Sequence, residues 1–420
     1  MGKLQELLDE LCPNGVEYKT IGEIAEDIFR GAGIKRDDVT ENGVPCVRYG
    51  EIYTTYGIWF DECVSHTELE KVPSPKFFEH GDILFAITGE SVDEIAKSCA
   101  YVGYDKCLAG GDIVILKHKQ NPKYLAYALA TTNAQAQKSA GKVKSKVVHS
   151  SVPSIKSILI PIPPLPVQAE IVRILDAFTE LTTELVDKLN MEIIERKKQY
   201  AYYRDLLLSF DYSSTPPPIP WKCTKNQVFL GSFAKFTYGY TDKAQADGDA
   251  RFIRITDIDE NGCLNVQDAK YIHLSEESRA YLLKRGDLLV ARTGATYGKT
   301  LYIPNDAPAV YASFLIKITL DENVMTNRFY WHFAQSSLYW EQANRLVSTG
   351  GQPQFNAGAI RRILVPVPPL DEQRRIVAVL DHFDALCNDL TAGLPAEIEA
   401  RRRQYEYYRD KLLSFKEWDT

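Results

Sequence analysis

RKKQYAYYRDLLLSF, residues 196–210, returns almost unchanged as RRRQYEYYRDKLLSF at residues 401–415. The copies lie 205 residues apart, and the same offset carries Pro163-Pro164-Leu165 onto Pro368-Pro369-Leu370 and Gln168 onto Gln373. Further upstream, Gly81-Asp82-Ile83-Leu84 with Thr88-Gly89 maps at that spacing onto Gly286-Asp287-Leu288-Leu289 with Thr293-Gly294. The repeating unit is therefore a globular segment followed by a helix, present twice.

Each tyrosine phrase ends a stretch with helical periodicity. After the stiff IPIPPLPVQ linker, Ile171, Leu175, Phe178, Leu181, Leu185, Leu189 and Ile193 recur every three or four residues, and Tyr200, Tyr203 and Leu207 extend the stripe. A helix starting near Val167 and running without proline to Ser209 has a length of roughly 60 Å. In the second copy Gly393-Leu394-Pro395 falls where the first has Lys188-Leu189-Asn190. Proline inside a helix costs about 3 kcal/mol, so a kink or a two-piece helix is predicted near 393–395, with Pro395 opening the second piece. The globular segments alternate short apolar runs with Gly, Pro and Asn, which reads as strand: Tyr18 to Ala25, Pro45 to Ile52, Gly81 to Thr88 and Gly111 to Leu116, with a helix over Pro122 to Ala136. The resulting division is 1–160 globular, 161–211 linker and helix, 212–365 globular, 366–420 linker and helix.

With 45% hydrophobic and 25% charged residues, a chain of 420 residues has material for more than one core. No apolar run reaches the length of a membrane span, and Met1 to Leu11 reads as a short amphipathic helix and not a leader, so a cytoplasmic location is expected. The eight cysteines form no C-x-x-C pair, and the seven histidines show no zinc spacing, so neither a metal site nor a disulfide framework is signalled. A net charge of -7 argues against non-specific coating of nucleic acid but leaves room for a basic face.

Catalytic motifs fail on inspection. Gly294 to Thr300 resembles a phosphate-binding loop, but the loop is one residue short and Leu301-Tyr302-Ile303-Pro304 follows as strand instead of helix. It reads better as a tight turn presenting Arg292, Thr293 and Lys299 on one edge. Glu195-Arg196-Lys197 has a nuclease-like spacing but sits in a helix with no upstream aspartate, which is the pattern of solvated helix charge. No Asn-Pro-Pro-Tyr or Asp-Pro-Pro-Tyr methyltransferase motif occurs.

Charge distribution says more. Between Lys97 and Lys156 there are ten lysines (97, 106, 117, 119, 123, 138, 142, 144, 146, 156) against Asp105 and Asp112, a bias that suits a face meeting phosphates, with Lys142, Lys144 and Lys146 on a Gly-led loop. In the second segment Arg and Gln side chains can read guanine and adenine edges, which makes Arg254, Arg292, Gln352, Gln354 and Asn356 candidate base readers. Lys35, Arg36, Arg48, Tyr240, Lys243, Thr293 and Lys299 complete the candidate DNA-binding set. Tyr200 and Tyr203, like Tyr405 and Tyr408, are three apart and share a helical face, as expected of a helix seam.

Taken together, the doubled domain-plus-helix order, Pro-Pro-Leu-x-x-Gln and R-x-x-QY-x-YYRD-x-LLSF resemble the DNA specificity subunit of type I restriction-modification enzymes, over nearly the whole chain from Lys3 to Phe415. The resemblance implies an α+β protein with two strand-rich target recognition domains joined by two long antiparallel helices, an internal pseudo-two-fold repeat with a coiled-coil spacer. It implies that each domain reads one half of a bipartite, asymmetric double-stranded DNA target, and that the helices dock two modification (methyltransferase) subunits and, through the assembly, restriction (endonuclease/translocase) subunits. On this view the chain is non-catalytic and binds no cofactor itself, S-adenosylmethionine and ATP belonging to the partner chains. Pro166-Val167 departs from the acidic pair seen as Asp371-Glu372, and Pro395 interrupts the second helix. The rival reading is a scaffold whose two domains bind ligands other than DNA.

Overall fold

The computed structural model describes residues 2–142, 147–209, 227–265, 267–348, 351–388 and 393–418. The chain forms two compact units, Met1–Lys188 with Ile398–Thr420, and Leu189–Glu397. The division cuts through both helical stretches. The first tyrosine phrase lies in the unit of the second globular segment, and the second phrase lies in the unit of the first.

In the first unit two five-stranded sheets carry the globular part. One runs in the order Ala25–Arg30, Ile113–His118, Ile83–Ala86, Ser98–Tyr101, Trp59–Phe60; the other runs Val39–Thr40, Ser65–Thr67, Val44–Val47, Cys107–Ala109, Phe77–Phe78. Ile83 to Ala86 and Ile113 to Leu116 are buried on both faces, which explains why these strands read as continuous apolar runs. Two expected elements are broken by one-turn helices. Thr20 and Glu23 form a capping box that turns Ile21–Ile24 into helix inside the predicted Tyr18 to Ala25 strand, and Tyr49–Thr54 is helical where Pro45 to Ile52 was expected to be strand. The predicted helix over Pro122 to Ala136 is two helices, Pro122–Leu129 and Thr132–Ser139, because the Thr131 side chain caps the second.

The second unit has the order Ala234–Tyr238, Leu315–Leu320, Leu288–Ala291, Thr300–Tyr302 in one sheet, and Tyr271–Ile272, Ala250–Ile253, Ala309–Tyr311 in the other. The Gly294 segment is a 3-10 turn that leads into strand Thr300–Tyr302, so no helix follows it to hold a phosphate.

The helix begins at Leu165, two residues earlier than expected, and runs to Ser209 with Pro166 in its first turn, where a missing N–H costs nothing. The second stretch is two helices, Leu370–Asn388 and Leu394–Leu412, with Pro395 in the first turn of the latter. The apolar stripe is buried only toward the helix ends. Ile171 and Leu175 join the core of the first unit and Tyr200 and Leu207 that of the second, whereas Leu181 is 64% exposed.

The signals repeated at 205 residues are hydrogen-bonding devices. Gly81 and Gly286 take positive φ (+93° and +90°), and the aspartate after each accepts from the backbone N–H three residues before it, Asp82 from Glu79 and Asp287 from Lys284. Lys117 and Lys317 close these turns. Burial nevertheless raises the Asp82 carboxyl above the ordinary range, outweighing Lys117 at 3.0 Å. Gln168 and Gln373 are fully buried: each side-chain oxygen accepts from the N-cap backbone of a globular helix (Asn121, Thr326), and each amide donates to the carbonyl of the first proline in the Pro-Pro-Leu motif (Pro163, Pro368).

The phrase's aspartate has the same kind of role. Asp410 accepts from Thr132 N at 3.0 Å in the first unit, and Asp205 accepts from Ser337 N at 3.2 Å in the second, each at the start of a globular helix. Asp410→Ala is expected to cost about 1 kcal/mol, the usual scale for a lost helix cap. Hydrogen exchange should quicken in Thr132–Ser139 and stay unchanged in Ser337–Leu346; equal rates in both proteins at Thr132–Ser139 would show the contact to be idle.

Candidate nucleic-acid interface

Each unit holds its helices against the globular part with a matched ion network. In the first unit Lys123 Nζ and Tyr127 Oη donate to Asp176 at 2.8 Å. Thr179 links Tyr127 to Tyr405 at 3.0 and 2.8 Å. In the second unit Arg328 and His332 meet Asp381, each at 2.7 Å, and Tyr200 reaches His332 at 3.0 Å. Burial pushes the His332 imidazole down, and Arg328 adds to this against the opposing pull of Asp381. Tyr203 stacks on Phe383 and Tyr408 meets the edge of Phe178, so all four seam tyrosines touch the helix packed beside them or the globular helix on it.

In the second unit, the loop after strand Leu288–Ala291 meets the segment at Gln352. Thr293 is only 2% exposed; its hydroxyl donates to Pro353 O at 3.2 Å and accepts from the Gln354 amide at 2.8 Å. Both side chains are thus consumed in closing the loop, which corrects their expected presentation to a ligand. Asn356 caps the turn Ala357–Ile360 through Ala359 N. Arg254 is also spent: its backbone and guanidinium hold Asp257 at 2.7–3.2 Å in a local cap. Arg292 differs. Its Nε donates to Ser313 O at 3.0 Å, and its guanidinium lies 5.4 Å from the Tyr238 ring and 5.3 Å from the Phe314 ring. Those rings are 44% and 52% exposed, so a cation with remaining N–H donors sits in an open aromatic frame. Gln352 and Lys243 are exposed, Lys299 is half-buried, and Tyr240 leans on Tyr281. Tyr238 and Phe314 carried no sequence signal, because neither falls on a repeated residue.

In the first unit, Arg48 matches Arg254, binding Glu51 through backbone and guanidinium at 2.9–3.0 Å, with the buried Glu51 also held by Ser65. It is a structural cap and not a free reader. Lys35 and Arg36 are exposed, and Arg36 lines a cleft of about 520 Å3 with Ile34, Tyr49, Gly110, Gly111 and Asp112. Among the described residues the lysine bias does not form one phosphate face. Lys117, Lys119 and Lys123 are ion-paired to Glu79 and Asp82, to Glu26, and to Asp176, while Lys97 binds the Tyr53 carbonyl and Lys138 is buried. Counting charge along the chain cannot see partners supplied by other elements. Lys142 is half-buried and Lys156 exposed; Lys144 and Lys146 lie outside the described residues.

Among the described residues no group of three or more His, Cys, Asp or Glu could hold a metal, and no helix is long and apolar enough to cross a membrane. Among the described residues the candidate interface offers hydrogen-bond donors, cations and aromatic faces.

A family model described as the type I restriction modification DNA specificity domain matches twice, at residues 13–195 and 224–400. A Haemophilus influenzae chain named as a type I restriction enzyme specificity subunit is 32% identical over 313 residues, covering 71% of this chain and 74% of that one. The Escherichia coli EcoR124I/EcoR124II specificity subunit is 34% identical over 285 residues, 64% of this chain and 65% of its own length. Among solved structures, a chain from a study of type I R-M complex assembly and conformational transition aligns with TM-score 0.67 at 17% identity, over 96% of this chain and 98% of that one. The HsdS subunit of Thermoanaerobacter tengcongensis aligns with TM-score 0.50 at 16% identity, over 96% of each chain.

Proposed function

Because the chain belongs to the type I restriction-modification DNA specificity family, we propose that it reads a bipartite, asymmetric DNA target, with one half-site taken by the exposed face of each unit. The observation that carries this reading is a contrast. The two units share their backbone locks at matched positions, yet the side chains they expose beside those locks differ. Equal frameworks with unequal faces suit two unlike half-sites. The helices serve as spacer and docking ground, and Leu181 and Leu185, exposed one turn apart, suit contact with modification subunits. Methyl transfer from S-adenosylmethionine and ATP-driven cleavage belong to the partner chains.

Mobility shifts with the assembled methylating complex test this directly. Binding that depends on both half-sites is expected, and indifference to sequence would leave the rival scaffold reading standing. Lys243→Ala should weaken binding to matched and unrelated DNA alike, lowering the slope of affinity against salt by about 1.

A further inference from the structure

Sequence offsets hide one more correspondence between the units, which the backbone hydrogen bonds expose. Gly31 N donates to Ile113 O and Ala32 N to Ala109 O; in the second unit Gly239 N donates to Leu315 O and Tyr240 N to Tyr311 O. Ile87 N donates to Asp112 O, as Arg292 N does to Phe314 O. Arg30 therefore matches Tyr238, Ile87 matches Arg292, Gly111 matches Ser313, and Asp112 matches Phe314. A guanidinium occupies this corner in both units, but it comes from different strands. In the first unit Arg30 Nε donates to Gly111 O and Nη2 to Asp112; in the second Arg292 Nε donates to Ser313 O. The same carbonyl position anchors both.

We propose that this corner selects the bases of each half-site, with Arg30 and Asp112 as the readers in the first unit and Arg292 with Phe314 in the second. The proposal rests on the two-half-site reading above and goes beyond it in naming the residues and their base classes. Drift alone gives no reason for a guanidinium to be rebuilt on the same carbonyl from another strand. Arg292 is tied back only through Nε, and Arg30 through Nε and one Nη2 N–H, so each keeps an Nη1 N–H and an Nη2 N–H that can donate as a fork to guanine O6 and N7. Asp112 lines the glycine-floored cleft beside Arg30 and adds an acceptor, which suits the cytosine amino group of the same pair. In the second unit no carboxylate among the described residues is bonded to Arg292; Phe314, half exposed, supplies an apolar wall that suits a thymine methyl beside the guanine.

The test uses the complete complex with its methylating partners on DNA carrying randomised half-sites, with methylated products sequenced. Arg292→Ala should relax one position of one half-site, discrimination there falling roughly 5- to 150-fold, with the other half-site unchanged. Arg30→Ala should do the same in the opposite half-site, and Phe314→Ala should reduce the thymine preference next to the guanine. Arg292→Lys keeps the charge but not the fork, and should relax the same position while retaining salt-dependent binding; it decides the matter if the alanine variant does not assemble. Selection by Arg30→Ala and Arg292→Lys identical to wild type, or a uniform loss over all sequences, would overturn the assignment while leaving the two-half-site reading intact. A wild-type complex that selects no sequence would overturn both.

Discussion

Gln373→Leu is expected to destabilise the Leu189–Glu397 unit by about 3–5 kcal/mol, among the largest effects open to a single substitution in this chain. The side chain is fully buried and makes three bonds, accepting from Thr326 N at 2.9 Å and donating to Val324 O at 2.8 Å and Pro368 O at 2.9 Å. Leucine fills a similar volume, so the cost lies in leaving three buried backbone groups without partners, each worth about 1–3 kcal/mol before relaxation. Gln168→Leu should cost less, about 2–4 kcal/mol, because one of its three partners is the Gln120 side chain, which can turn toward water. Hydrogen exchange would report the difference locally. Asn327–Ala334 should open sooner in Gln373→Leu, and Pro122–Leu129 in Gln168→Leu. If exchange in Asn327–Ala334 stayed at the wild-type rate in Gln373→Leu, the lock would be dispensable and the repeated glutamine would need another explanation.

These locks explain what could be read from the sequence. Gln168, Asp82, Asp410 and their counterparts each satisfy particular backbone groups, so one side chain fits each place and the fit recurs at 205 residues. The corner proposed to read bases obeys no such constraint. Its matched residues stand 208 apart at Gly31 and Gly239 but 202 apart at Ala109 and Tyr311, because the loops between strands differ in length. Arg30, Asp112, Tyr238 and Phe314 therefore slipped out of register and out of view. Arg292 could be singled out as a candidate because it adjoins the repeated Thr293-Gly294, whereas Thr293 itself closes the loop. Short helices were also hidden, although Thr20-x-x-Glu23 carries the capping-box spacing, since one turn is too brief to show a period.

Lys138 supplies a prediction of the opposite kind, about charge rather than shape. It is 3% exposed, with Nζ donating to Leu129 O at 2.8 Å and Ser98 Oγ at 3.2 Å and no carboxylate among those partners. Burial pushes its ammonium down to about 7, with the Arg409 charge adding to the effect. An unfolded chain keeps the ordinary lysine value near about 10.4. Between those limits the unfolded state binds a proton that the folded state does not, so stability rises with pH through this window. The contribution is complete above the upper limit and lost as pH falls toward about 7. The slope from this one group approaches about 1.4 kcal/mol per pH unit, or about 2–3 kcal/mol between pH 7 and 9. Lys138→Met should remove that slope even though it leaves the Leu129 carbonyl and Ser98 hydroxyl without a donor. The readout is the difference between wild type and variant in hydrogen-exchange stability of Pro122–Leu129 at each pH, which cancels the buried tyrosines and thiols common to both. Parallel stability curves for the two proteins would mean that Lys138 stays protonated inside the fold, the helix-end carbonyl and hydroxyl sufficing to hold its charge.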